Sequence, residues 1–155
     1  MNTAPRATGN LFLIVGYDGS DPADRALDTA AALLRGREGC LNVVYVPHMP
    51  SMDMLTPEAV AGMTVIFDEL ARDMHAQASD RLRAHEERWR FDRAQDMYTD
   101  VPDVLIAAAE EVRAAHPDDN VAIVVGSSSR ARHRMVGSVA VSLARHAPVP
   151  LLIVP

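Results

Sequence analysis

The 155-residue chain contains no lysine, and all fifteen of its basic side chains are arginine. Without lysine there is no Walker-type phosphate-binding residue, no Schiff-base nucleophile and no partner to complete a receiver-domain phosphorylation site. Cysteine is almost as scarce: Cys40 stands alone, so an intramolecular disulfide and a cysteine-based zinc site are excluded by count. Cys40 reads instead as a small buried hydrophobe beside a strand. No stretch approaches the roughly 18 uninterrupted apolar residues of a membrane span, and the first ten residues lack the charged start and long apolar core of a secretory signal. The expected setting is the cytoplasm, with no membrane partner. Net positive charge is also missing. A formal charge of −6 works against nucleic-acid binding, which needs a broad basic surface to replace counterions on phosphates. None of the six histidines shows metal-site spacing, and no Ser-His-Asp or paired-carboxylate arrangement can be defended. No catalytic or metal-binding residue is assigned.

What is present is a globular balance, 48% hydrophobic and 23% charged, at a length suited to one domain. Residues 1–10 read as a loose tail and 11–155 as the domain. The apolar run 11–18 suits a strand buried on both faces of a parallel sheet. A helix follows, with Asp21 able to cap it, Pro22 in its first turn, and Ala26, Leu27, Ala30, Leu33 and Leu34 at helical spacing. Residues 41–46 read as a second strand. Thr56 and Pro57 open a long helix to about residue 87, with Val60, Met63, Phe67, Leu70, Met74 and Ala78 as its apolar stripe. Residues 91–99 form a polar, edge-type strand, 102–115 a helix, 121–125 a strand, 137–146 a helix and 149–154 a closing strand. This alternation of strands and helices predicts an α/β fold: a doubly wound, five-stranded parallel sheet in the order 3-2-1-4-5, with helices on both faces.

In such sheets the ligand crevice lies beyond the carboxyl ends of the strands where the order reverses, here between the first and fourth strands. Those ends carry two unusual loops, G-Y-D-G-S-D-P from Gly16 and G-S-S-S-R-A-R-H-R-M-V-G-S from Gly126. Small residues at Gly126, Ser127 and Ser129 allow backbone N–H groups to approach an anion, and the helix opening at Gly137 and Ser138 adds its positive end. Arg130, Arg132 and Arg134 concentrate positive charge beside it, and Asp18 can accept hydrogen bonds from a ribose or an adenine amino group. The same residues also admit a plainer reading: Asp18 caps a turn, the serines satisfy backbone groups and the arginines form a solvated face. The Met-rich stretch with Met49, Met52 and Met54 sits at the same end of the sheet, as a flap, a partner surface or a set of soft ligands.

The segment V-G-Y-D-G-S-D-P-A-D-R-A-L from Val15, V-V-G-S-S-S-R from Val124, G-S-V at Gly137 and the ending A-P-V-P-L-L-I-V-P together resemble the universal stress protein family over nearly the whole chain. The resemblance implies the fold derived above. It also implies binding of ATP or another adenine nucleotide, with or without Mg²⁺, through a G-x2-G-x9-G-S motif. By position, Gly16, Tyr17, Asp18 and Val46 would surround adenine and ribose, while Val125, Gly126, Ser129, Gly137, Ser138 and Val139 would line the phosphates. Two departures stand out: Ser129 occupies the place of the second glycine, and seven rather than nine residues separate it from Gly137. A glycine-only conformation at Ser129 would cost about 1–2 kcal/mol. The resemblance also extends to family members that bind no ATP, which leaves a second reading open: a nucleotide-independent, dimeric protein-interaction module with an unidentified protein partner. The resemblance further implies a homodimer, and the apolar closing strand, from Val149 to Val154, is an edge that a second copy would cover.

Overall fold

The computed structural model describes residues 9–47, 56–85, 88–94, 99–127 and 138–155. Strand β1 (Leu11–Gly16) is apolar throughout and buries side chains on both faces, Leu13 and Val15 toward one core and Ile14 toward the other. Helix α1 (Asp21–Leu34) follows. Its cap is Ser20, whose Oγ accepts from the Ala23 N–H at 3.3 Å. Asp21, expected as the cap, instead occupies the first helical turn, where a carboxylate faces the positive end of the helix dipole. The chain then turns through Gly36, at φ 71°, into β2 (Gly39–Tyr45).

Helix α2 (Pro57–Leu82) is capped by Thr56, whose Oγ1 accepts from Ala59 N–H at 3.3 Å. It stops short of the expected residue 87, because Leu82 is its last buried side chain and a turn closes there from His85 N–H to Leu82 O at 2.9 Å. Its inward line is Phe67, Ala71, Met74, Ala78 and Leu82. Of the expected stripe, Leu70 turns outward at 38% exposure, Met63 is half-buried, and the Val60 side chain lies outside the described residues.

Strand β3 (Trp89–Arg93) begins before the expected residue 91 and ends before 99, because it pairs with β2 from Leu41↔Trp89 to Tyr45↔Arg93 and β2 ends there. Residues 95–98 lie outside the described residues. Helix α3 (Val101–Ala115), strand β4 (Asn120–Gly126), helix α4 (Ser138–His146) and strand β5 (Leu151–Val154) complete the order. Strand β5 is shorter than 149–154. Pro150 has no N–H to donate, although its carbonyl still accepts from Ile123 N–H at 2.9 Å.

The five strands pair in parallel in the order β3-β2-β1-β4-β5. Helices α1 and α2 cover one face around Leu27, Leu34 and Leu82, and α3 and α4 cover the other around Leu105 and Leu143. The tail expected over residues 1–10 is anchored at its last residue: Asn10 N–H donates to Asp119 Oδ1 at 2.8 Å, and Asn10 O accepts from Asn120 N–H at 2.9 Å. Residues 1–8 lie outside the described residues. No described helix is long and apolar enough to cross a membrane.

Candidate functional site

Strand order reverses at β1. Helix α1 leaves β1 on one face and α4 follows β4 on the other, so a gap opens between their carboxyl ends. It is a cavity of about 320 Å³, at the lower end of the range of small-molecule sites. Its walls come from both strand ends, with Gly16, Asp18, Val125 and Gly126, and from the first turn of α4, with Ser138 and Val139. Val44 and Val46 close the β2 side and Val101 and Leu105 of α3 close the outer side. The lining is therefore apolar over the sheet and polar at the rim, which suits a flat base lying inward and a hydrophilic tail pointing out.

Gly16 owes its place to space. A Cβ there would lie 3.1 Å from Leu105 Cδ1 and 3.4 Å from Val125 Cγ1, inside the apolar wall. Gly126 is constrained more severely, because its Cβ would lie 2.2 Å from the carbonyl oxygen of Pro22. The end of β4 thus rests directly on the backbone of the first turn of α1, and only a residue without a side chain fits. Gly19 holds a left-handed conformation, φ 75°, and its carbonyl accepts from Gln77 Nε2 of α2 at 3.2 Å.

Asp18 is exposed at the rim. Its Oδ1 accepts from Ser20 N–H at 3.0 Å and from Ser20 Oγ at 2.5 Å, while Ser20 Oγ in turn caps α1. Asp18 therefore does serve the turn, as the plainer reading has it. Both bonds fall on Oδ1 and Asp18 lines the cavity, so one oxygen can organise the loop and leave the other for a ligand.

Tyr17 is placed differently from the other residues of its loop. The strand alternation sends its side chain to the α1–α2 core, where it is 3% exposed and its hydroxyl donates to Asp24 Oδ1 at 2.8 Å. Arg81 of α2 completes this cluster, 3.2 Å from Asp24 Oδ2 and bonded to both oxygens of Asp28 at 2.9 Å. Burial, reinforced by the bond to Asp24, pushes the Tyr17 phenol well above its ordinary pKa. The phenol stays neutral, and Tyr17 offers the crevice its backbone. Tyr45, raised likewise by burial, is a second neutral phenol nearby.

Of the residues singled out in the sequence, Gly16, Tyr17, Asp18, Val46, Val125, Gly126, Ser138 and Val139 come together around the cavity. Ser127 is not among its lining; its N–H donates to Val154 O at 2.7 Å, tying the end of β4 to β5. Ser129, Arg130, Arg132, His133, Arg134 and Gly137, with Met49, Met52 and Met54, lie outside the described residues. Val44, Val101, Leu105 and Ser20 line the site without having been singled out. The first was legible, since Val44 and Val46 alternate onto one face of β2. The α3 contribution required knowing how closely that helix packs beside β1.

A sequence profile described as the universal stress protein family matches residues 13–155. No curated protein sequence matches significantly. Among solved structures, the universal stress protein UspA from Lactobacillus plantarum is similar at TM-score 0.69 and 20% identity, covering 95% of this chain and 99% of that one. A universal stress protein from Archaeoglobus fulgidus in complex with dAMP is similar at TM-score 0.59 and 20% identity, covering 97% and 100%. A universal stress protein family protein from Arabidopsis thaliana with AMP bound is similar at TM-score 0.61 and 13% identity, covering 93% and 90%.

Proposed function

The chain belongs to the universal stress protein family, and from that premise we propose that it is a stress-response regulator binding an adenine nucleotide in the crevice between β1 and β4. The observation that carries the reading is the cavity of about 320 Å³ with an apolar floor, Asp18 at one rim and the first turn of α4 at the other. The adenine would lie against Val44, Val46 and Leu105, the ribose would meet Asp18, and the phosphates would approach the N–H groups of Ser138 and Val139 at the positive end of α4. The relatives with dAMP and AMP support a monophosphate at least as well as ATP. Ser129 and the seven-residue spacing to Gly137 depart from the ATP motif of the family, which favours the monophosphate over ATP. Mg²⁺ would accompany only a polyphosphate.

The same reading includes a homodimer through β5. This strand ends the sheet beyond β4 and leaves Leu152 37% exposed, an edge that a second copy would cover. If nucleotide plays no part, that edge is where an interaction module would meet its partner.

The test is to denature freshly purified protein, identify any released small molecule by mass spectrometry, and titrate the emptied protein with AMP and with ATP plus Mg²⁺ by calorimetry. Release of an adenine nucleotide, or saturable heat with AMP, is expected. No released ligand and no heat with either nucleotide would move the function to the interaction module.

A further inference from the structure

A buried polar group without a partner stands at the other end of the sheet. Asn42 of β2 is 4% exposed, and its Oδ1 has no hydrogen-bond partner among the described residues. Strand register explains where it points. Asn42 pairs with Ile14 of β1 on one side and Arg90 of β3 on the other, and Cys40, two residues earlier on the same face, pairs with Phe12. These rows form the floor of a second cavity, of about 110 Å³, lined by Cys40, Asn42 and Arg90 and roofed by Glu111 and His116 at the end of α3. Phe12 and Cys40 open their strands, so this cavity lies at the amino ends, opposite the crevice.

Its chemistry is mixed and paired. Arg90 supplies a cation whose Nε is 3.3 Å from Asp92 Oδ2, with the rest of the guanidinium able to donate elsewhere. Glu111 supplies an exposed carboxylate on the facing helix. Asn42 supplies a carboxamide whose Oδ1 is buried without a hydrogen bond, which is unfavourable until a donor fills the space. His116 is held at the wall by stacking on Phe12, with ring centroids 4.3 Å apart, and by Asp119 at 3.4 Å from its Nδ1. Cys40 is not set up as a nucleophile: burial raises its pKa, and its thiol donates to Leu41 O at 3.3 Å.

We propose that this cavity binds a small zwitterion, an α-amino acid no larger than alanine. Its carboxylate accepts from Arg90, and its ammonium donates both to Glu111 and to the unpartnered Oδ1 of Asn42. A volume of about 110 Å³ suits a small amino acid, and the opposed charges select a molecule that carries both signs over a single ion. Three or four waters would occupy the same volume, and they are the rival occupant.

The experiment is an amide NMR titration of the ¹⁵N-labelled full chain with glycine and alanine, with acetate, methylammonium and leucine as comparisons. Glycine or alanine should produce saturable shifts of the Asn42 side-chain amide and of the Cys40 and His116 backbone amides, while Gly16 and Gly126 stay put. The comparison compounds should bind roughly tenfold more weakly or not at all. Arg90→Gln and Glu111→Gln, both surface substitutions, should each weaken glycine roughly tenfold with the spectrum otherwise native. The proposal is overturned if neither amino acid gives a saturable shift, which leaves water as the occupant. It is also overturned if acetate or methylammonium binds equally well, or if both variants bind glycine as the unsubstituted protein does.

Discussion

Gly16 and Gly126 both border the crevice, but a side chain would meet different neighbours at each. At Gly126 a Cβ falls 2.2 Å from a backbone oxygen, whereas at Gly16 it falls 3.1 Å from the end of the Leu105 side chain, which can rotate. Gly126→Ala should therefore lose about 1–3 kcal/mol or more of stability by urea unfolding, the ordinary cost of overpacking. Gly16→Ala should lose clearly less while weakening nucleotide binding, which makes it the better probe of the site. Equal losses in the two variants would contradict this assignment. Tyr17 gives a second residue-scale prediction. Its pKa is raised above the unfolded value of 10.0, so the stability from its neutral, hydrogen-bonded phenol is fully present below about pH 10. That stability is lost as the pH rises from there toward the higher folded pKa. In Tyr17→Phe the stability at neutral pH should fall by about 0.5–1.5 kcal/mol, and its decline above pH 10 should be shallower. An unchanged alkaline slope would mean that other groups, such as Tyr45, carry it. The family resemblance named Tyr17 as a site residue by its position in the motif. It could not show that strand alternation turns the ring away, since that depends on which face α1 covers.

At the scale of elements, the helices and strands were legible because each has its own period and stop signal. The Pro22 start of α1, the Thr56-Pro57 start of α2 and the apolar run of β4 all stand where residue chemistry puts them, while the α1 cap falls one residue earlier, on Ser20. The differences lie at ends decided by neighbours. Strand β3 spans Trp89–Arg93 because those residues pair with Leu41 to Tyr45, where β2 ends, a constraint that no local pattern in 89–99 contains. Strand β5 is cut to Leu151–Val154 by a proline the sequence displays but whose effect depends on pairing with β4. That short edge carries the dimer proposal. Leu152→Lys places a charge on the exposed edge position, so it should leave the melting temperature nearly unchanged and convert a dimer to a monomer by light scattering. A dimer that survives the substitution would move the interface elsewhere, and a monomer before substitution would remove it.

Over the whole molecule, the parallel sheet separates two kinds of site. Its carboxyl end holds the crevice, where strand reversal makes space that nearby loops line with small and polar residues. Its amino end holds the smaller Asn42 cavity. The first was legible, because a doubly wound order fixes where strands part and the two loops were the oddest in the chain. The second was not, because a buried asparagine in an apolar strand stands out only once register sets it beside Arg90 and under α3. The central claim is that an adenine nucleotide occupies the crevice, and the most direct test is an amide NMR titration with AMP. The account predicts saturable shifts clustered at Gly16, Asp18, Val46, Val125, Gly126 and Ser138, with Asn42 and His116 unmoved. Absence of saturable shifts, or shifts centred away from the ends of β1 and β4, would contradict it.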